Sequence, residues 1–278
     1  MTKITPLERT PRIDLGDDEL RGLQDFAIGT VMAAGQEVLT WFRERFDVDN
    51  KLDEGRFDPV TVADRRGEEI IRNAIEQTYP SHGILGEEYG HKPGNGLTWL
   101  IDPIDGTRAF MTGMLHWGVL LALFDGQQPV IGVMYQPFTT ELFYGRPGLA
   151  EYRHGSAVKT LTTRRCASLS DAVLATTSPE FYPRRHEWEA FVELQQKVKL
   201  TRFGGDCYLF AMVAMGHIDL AIEAMLDPYD IQALIPIIHG AGGVVTDWNG
   251  GDASMGGHVI AAGDPAVHAL ALEYLRGT

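Results

Sequence analysis

The stretch WLIDPIDGTRAF, residues 99–110, sets Asp102 and Asp105 three positions apart directly after an apolar run. Two carboxylates held that close repel one another, and divalent cations are the natural compensation. Three more segments place acidic or hydroxyl groups at element junctions: DPVTVAD with Asp58, Thr61 and Asp64, GEE with Glu87 and Glu88, and DPYD with Asp227 and Asp230. Each also has a plain structural reading. Asp-Pro and Asp-Gly form turns, and Asp105 can cap a helix begun by Gly106 and Thr107. Thr61 or Asp64 can cap the helix that follows, adjacent glutamates commonly form a solvated strand edge, and DPYD precedes a helix. The chemical reading of DPIDGT is a hard-cation site. Pro103 fixes the backbone so that Asp102, Asp105 and the Ile104 carbonyl face one side, an oxygen-only set that suits Mg²⁺ and leaves room for phosphate. Gly106 and Thr107 add backbone N–H groups at a helix N-terminus, where phosphate binds readily.

Positioning these groups requires ordered elements around them. Between residues 17 and 46, Leu20, Leu23, Phe26, Ala27, Val31, Ala34 and Val38 recur at threes and fours, which predicts an amphipathic helix. A second helix is expected over Val62–Gln77, then a strand in HGILGEE and a strand in LTWLID ending at Asp102. WGVLLALFD and QPVIGVMYQ alternate about Asp125-Gly126 as a hairpin with a type I′ turn. Further strands are expected at AVLATTS, Lys199–Phe203, IDLAIEA, GVVTDW and HVIAAG. Helices are expected at Arg185–Lys197, Asp206–Met215, through DIQALIPIIHGA and at Pro265–Leu275. Helices and strands in such blocks give an α/β or α+β class with layered packing. Residues 90–97, GHKPGNGL, read as a mobile loop able to close beside Glu87 and Glu88.

Composition narrows the function. At 278 residues, 44% hydrophobic and 22% charged, the chain is of ordinary globular make-up, enough for one large domain or two of about 150 residues. It carries no repeat, low-complexity tract or long linker. No apolar run approaches the ~20 residues of a membrane span, and MTKITPLERTPRIDLGDDEL mixes charge with proline where a secretion signal is apolar. A cytoplasmic protein is therefore expected. Cys166 and Cys207 stand far apart without a CxxC pattern, which argues against a zinc cluster or disulfide framework. With 24 Lys and Arg against 38 Asp and Glu, the net charge of −14 disfavours nucleic acid as a ligand. A small phosphorylated ligand is compatible, because bound divalent cations invert the local field. His82, His91, His116, His217 and His258 show no ligand-like pairing, and MTGM and MVAM read as packing.

The four acidic segments mean more jointly than singly. WLIDPIDGTRAFMTG resembles the central motif of the inositol monophosphatase superfamily, and DPVTVAD, GEE and DPYDIQALIPIIHGAGG match its other blocks in the same order over nearly the whole chain. The resemblance implies the layered αβαβα sandwich of Mg²⁺-dependent sugar and inositol phosphatases, usually a homodimer. It implies one domain over residues 1–278, with a metal-site half over about 1–150 and a substrate-site half over about 151–278. LATTSPEFY, GGDCYLFAMVAMGHIDLAIEA and LDPYDIQALIPIIHGAGGVVTDW look most like the histidinol-phosphate phosphatase branch. There Tyr229-Asp230 replaces the Trp-Asp of the inositol enzymes, and an aspartate follows Gly204-Gly205. His239 departs from that branch, which tends to an acidic residue; it is expected to bear on surface or packing more than on metal.

Carried onto this chain, the resemblance implies that Glu87, Asp102 and the Ile104 carbonyl hold one Mg²⁺, and that Asp102, Asp105 and Asp230 hold a second, with Asp102 bridging. A third, weaker ion near Glu87 would offset the phosphate dianion, and Mn²⁺ is an alternative ion. Asp105, Gly106 and Thr107 would take the phosphate; Thr107, hydrogen-bonded to Asp64 and acting beside Glu87, would activate the attacking water, with Asp58 as outer support. Gly205, Asp206, Glu223 and Asp230 would face the leaving group. Asp206 can equally be read as a helix N-cap, and Glu223 as a strand-end charge. Two carboxylates beyond the metal ligands favour a cationic leaving group such as histidinol, with its ammonium and imidazole. The expected activity is L-histidinol-phosphate phosphatase, a step of histidine biosynthesis. Phosphatases of inositol 1-phosphate, fructose 1,6-bisphosphate or adenosine 3′,5′-bisphosphate stay open, as does a non-enzymatic protein- or RNA-binding role.

Overall fold

Alternation along buried strands decides the layering. Between Thr98 and Asp105, Trp99 and Ile101 enter one hydrophobic core and Leu100 enters another, all three essentially without exposure. Strands covered on both faces read as continuous apolar runs, as WGVLLALF and PVIGVMY do.

The computed structural model describes residues 7–45, 48–50 and 59–277; Asp58 lies outside the described residues. In chain order the elements are α1 (Asp17–Leu39), β1 (Val48–Asn50), β2 (Pro59–Thr61), α2 (Val62–Thr78), β3 (Gly83–Gly86), β4 (Gly90–Lys92), β5 (Thr98–Asp105), α3 (Thr107–Met111), β6 (Gly118–Phe124) and β7 (Pro129–Gln136). There follow β8 (Glu141–Arg146), β9 (Leu149–His154), β10 (Ala157–Thr160), β11 (Val173–Thr176), α4 (Arg185–Gln195), β12 (Leu200–Phe203), α5 (Cys207–Ala214) and β13 (Leu220–Leu226). The chain closes with α6 (Pro228–Ile231), α7 (Leu234–Gly240), β14 (Val244–Asp247), β15 (Gly257–Ala262) and α8 (Pro265–Leu275).

An eight-stranded sheet runs β10-β9-β8-β7-β6-β5-β3-β4, antiparallel except between β3 and β5. A five-stranded sheet runs β12-β11-β13-β15-β14, with β11 parallel to both neighbours. The helices α1 and α2 cover one face of the larger sheet, while α5, α6 and α7 fill the space between the sheets. The far face of the smaller sheet is covered by α4 and α8, through Phe191, Leu194, Val267 and Leu272 against Leu174, Leu220, Ile222 and Ile260. The result is the expected αβαβα sandwich.

Local differences have local causes. The first helix ends at Leu39 rather than running to residue 46. Arg43 takes a left-handed φ of 65° in the turn that follows, and Phe42 packs on Phe110 and Trp117. The β6–β7 connection is not a two-residue type I′ turn. It spans residues 125–128, closed by the Asp125 carboxylate accepting from the amides of Gln127 and Gln128 at 2.9 and 2.8 Å. DIQALIPIIHGA is two helices rather than one, and Pro236 falls in the first turn of α7, where no backbone donor is needed. Residues 90–97 are tied down rather than free as a lid. Gly90–Lys92 pairs with β3, Asn95 donates its amide to the Ser81 carbonyl at 2.9 Å, and Gly94 lies against Gly83.

Candidate active site

The strand carrying the first aspartate continues past it. Asp102 pairs with Leu120 and Asp105 with Gly118, so three steps on β5 answer two on β6, the count of a β-bulge. Pro103, which has no N–H for a ladder, sits in the bulge. The Ile104 amide donates to Asp102 Oδ1 at 3.0 Å and closes the bend. Gly106 then turns the chain with φ +84°; a Cβ there would stand 2.5 Å from the His116 carbonyl oxygen and 3.2 Å from the Asp206 side chain.

Asp105 reaches across to the second sheet's helix layer, where its Oδ2 accepts from the amide of Cys207, the first residue of α5, at 2.6 Å. Asp230, in the first turn of α6, accepts on Oδ2 from the Asp227 amide at 2.7 Å. Oxygens of Asp102, Asp105 and Asp230 lie within 4.8 Å of one another. Glu87, at the end of β3, shares a hydrogen bond with the Asp102 carboxyl. Burial, reinforced by Glu87, Asp105 and Asp230, pushes Asp102 well above the usual carboxylate range. Burial and then Asp105, Glu87 and Asp227 do the same to Asp230, and burial lifts Asp105 to about 6 against the hydrogen bonds from Cys207. A tight cluster of acids, Asp102 buried and Asp105 and Asp230 half-buried, offers the oxygen-only donors that a hard divalent cation fits.

The Thr61 hydroxyl and the Asp64 carboxylate form a capping box at the start of α2. Asp64 Oδ2 accepts from the Thr61 amide at 2.7 Å and its hydroxyl at 2.5 Å, while Oδ1 faces Thr107 Oγ1 at 3.5 Å. That last distance is at the limit of a hydrogen bond, and the Thr107 hydroxyl is closer to the Ile104 carbonyl, at 3.0 Å. The expected Thr107–Asp64 bond is thus present at its longest, and the Thr107 hydroxyl donates in the shorter contact to the Ile104 carbonyl.

Asp206 precedes α5 with φ 46° and ψ −134° and makes no capping bond; the Asp105 carboxylate takes the Cys207 amide in its place. The cap reading of Asp206 is corrected accordingly. A non-glycine residue in that conformation carries strain that the surroundings must hold in place. Glu223, 3% exposed, accepts from the Thr177 amide at 2.5 Å, and Thr177 Oγ1 accepts from the Asp206 amide at 3.1 Å. Thr177 therefore links the two acids. Burial lifts both to about 8, Asp105 adding to the effect on Asp206, and Asp206 and Asp105 to that on Glu223. Gly205 lines a cleft of about 390 Å³ together with His116, Glu141, Arg202 and Tyr208.

The remaining expectations fall outside this cluster. His82 accepts from Trp99 Nε1 at 3.1 Å in an aromatic stack, His258 pairs with Glu187, and His91, His217 and His239 are exposed. Two residues that bond to these segments escaped the sequence reading, Thr177 and the fully buried Glu68 on α2. Glu68 stands four residues before Arg72 and reads in sequence as an exposed helical pair.

A family model described as the inositol monophosphatase family matches residues 19–277. The chain belongs to this family. The Arabidopsis thaliana protein named bifunctional phosphatase IMPL2, chloroplastic, is 39% identical over 275 residues, 95% of this chain and 78% of that protein. A histidinol-phosphatase of Chlorobaculum parvum is 34% identical, over 84% of this chain and 89% of its own. An inositol monophosphatase from Zymomonas mobilis, whose structure is described as showing another flexible region at the active site, superposes with a TM-score of 0.81 at 35% identity, over 95% and 99% of the two chains. As a member of the inositol monophosphatase family the protein is a phosphatase, with a small phosphorylated substrate and an acidic cluster able to bind metal. Among the described residues no helix is long and apolar enough to cross a membrane.

Proposed function

We propose that this phosphatase hydrolyses L-histidinol phosphate to histidinol and inorganic phosphate. The observation that carries the reading is the pair Asp206, half-buried, and Glu223, buried, two acids outside the metal cluster, with Thr177 bonding the Glu223 carboxylate and the Asp206 backbone amide. When bound, two or three Mg²⁺ or Mn²⁺ ions, held by Glu87, Asp102, the Ile104 carbonyl, Asp105 and Asp230, supply charge neutralisation at the phosphate and a water of lowered pKa. Gly106 and Thr107 direct backbone N–H groups toward the phosphate oxygens, and Asp105 holds that turn against α5. Thr107 turns its hydroxyl from the Ile104 carbonyl to Asp64 Oδ1, takes the proton of the attacking water on Oγ1 and passes its own to Asp64, whose partner oxygen is fixed by the α2 cap. The new phosphorus–oxygen bond forms as the bond to the ester oxygen breaks, and the departing alkoxide takes a proton from a solvent water to leave as the alcohol. Asp206 and Glu223 accept hydrogen bonds from the ammonium and imidazole of the leaving group, and charge-assisted bonds of this kind discriminate against neutral polyols.

A second reading, an inositol-phosphate phosphatase, draws on the same two acids: lifted to about 8, they hold protons near neutrality and can donate to hydroxyls. Mg²⁺-dependent phosphate release from both substrates, with an EDTA control, separates the two. Asp206→Asn should lower kcat/KM for histidinol phosphate at least about tenfold and leave inositol 1-phosphate nearly unchanged, in line with ~1.4 kcal/mol for one charge-assisted bond. Equal losses on both substrates would remove Asp206 from substrate choice, and release from neither would favour the binding role. The same reading carries a homodimer and a cytoplasmic location, the first checked by light scattering and the second by fractionation.

A further inference from the structure

The turn that presents Glu87 is held by a residue with no place in the scheme above. Glu68 is 0% exposed, on the face of α2 that meets the β3–β4 hairpin. Its Oε2 accepts from the Glu88 amide at 2.6 Å, and its Oε1 from the Tyr89 amide at 3.2 Å and from Arg72 Nε at 2.5 Å. Arg72 also donates to the Gly90 carbonyl, and Gly86 and Gly90 face each other across the hairpin. Gly86 is the close approach that makes this possible, since a Cβ there would lie 1.9 Å from Glu68 Oε1. The carboxylate occupies the space a side chain at position 86 would need. It fixes both amides that follow Glu87, and Ile101 takes the amide of Glu87 itself at 3.2 Å. A buried carboxylate is costly unless its lone pairs are used, and here three donors converge on it.

We propose that Glu68 is a positioning residue for Glu87: by clamping the hairpin tip it sets how tightly the divalent cation is held. This rests on the reading of Glu87 as a cation ligand, and the test keeps the two apart. Groups that orient metal ligands, when removed, typically weaken metal binding about 10–100-fold. Full-length protein stripped of metal is titrated with MgCl₂ by calorimetry, for wild type, Glu68→Gln, Glu68→Ala and Glu87→Gln. Amide hydrogen exchange at Glu88 and Tyr89 is followed before metal is added. Glu68→Ala should bind Mg²⁺ about 10–100-fold more weakly, and Glu68→Gln, which keeps one acceptor, roughly 3–10-fold more weakly. Both should speed exchange at the two amides while kcat at saturating Mg²⁺ stays within about threefold. Unchanged Mg²⁺ affinity in folded Glu68→Ala overturns the proposal; if that variant does not fold, an unchanged isotherm in Glu68→Gln does so. Weakened binding in Glu87→Gln alone removes Glu68 and leaves the ligand reading standing. Unchanged binding in Glu87→Gln removes the ligand reading and the proposal with it.

Discussion

At the residue scale four acids of the site share one habit: an oxygen of each is engaged by a backbone amide. Asp64 meets Thr61, Asp102 meets Ile104, Asp105 meets Cys207 and Asp230 meets Asp227, at 2.6 to 3.0 Å. Amide bonds orient a carboxylate without neutralising it, so the repulsion among these acids is relieved only by a proton or a cation. Asp102→Asn tests this in two directions. An asparagine Oδ1 can keep the Ile104 bond and removes the most encumbered charge. Phosphate release should fall by about a thousandfold or more, consistent with loss of electrostatic stabilisation at the reacting group. The metal-free protein should meanwhile unfold later, by on the order of 1–3 kcal/mol. Thermal melts with EDTA against wild type would show it, and a lower melting point would contradict the strain. This habit also explains why capping and ligand readings competed in the sequence. For Asp64 and Asp230 the cap is present and leaves the other reading open, because a carboxylate has two oxygens and the sequence shows only one residue.

At the element scale, helix starts are the devices that aim the chemistry. The cap of α2 aims Asp64 and the first turn of α6 aims Asp230, while the first amide of α5 orients Asp105. Thr61→Ala should therefore do more than cost the ~1–2 kcal/mol of a lost cap. With Asp64 released from its box, kcat should fall several-fold with little change in KM, and Thr61→Ser should restore both. Denaturant titration and steady-state kinetics on the same preparations check the pair of effects; loss of stability with unchanged kcat would make Thr61 a cap and nothing more. Apolar periodicity made α2 and α8 legible almost to the residue, since each presents one face to one sheet. It could not mark the end of α1, which depends on Phe42 reaching Phe110 and Trp117, or the break between α6 and α7.

At the scale of the whole molecule the site is a seam. Glu87, Asp102, Asp105 and Thr107 come from the larger sheet and its loops, and Asp206, Glu223 and Asp230 from the smaller sheet and the middle helices. The pH dependence of stability follows from what the seam buries. Asp105 is raised from 3.8 to about 6, and Asp206 and Glu223 to about 8, so the folded state holds these protons longer than the unfolded chain does. Their contribution is complete below about pH 4 and is lost as pH rises through 6 and then 8. Metal-free protein should thus lose stability between about pH 5 and pH 8. The gain in melting temperature on adding Mg²⁺ should grow over the same interval, because the cation binds the deprotonated acids. Scanning fluorimetry at several pH values with Mg²⁺ or EDTA measures it, and a Mg²⁺ gain independent of pH would contradict the cluster as the binding site.

The sequence by itself determined the family, the αβαβα layering and the identity of the acids. Motif order survives in one dimension, and burial on one or two faces writes its own period into a strand or helix. The tertiary structure decided which oxygen of Asp64, Asp102, Asp105 and Asp230 meets a backbone amide, that Asp206 makes no capping bond, that Thr177 ties Glu223 to the Asp206 backbone and that Glu68 holds the turn after Glu87. Those facts depend on contacts between segments far apart in the chain. Glu68 meets Glu88 across 20 positions and Asp105 meets Cys207 across 102, and no local spacing encodes either.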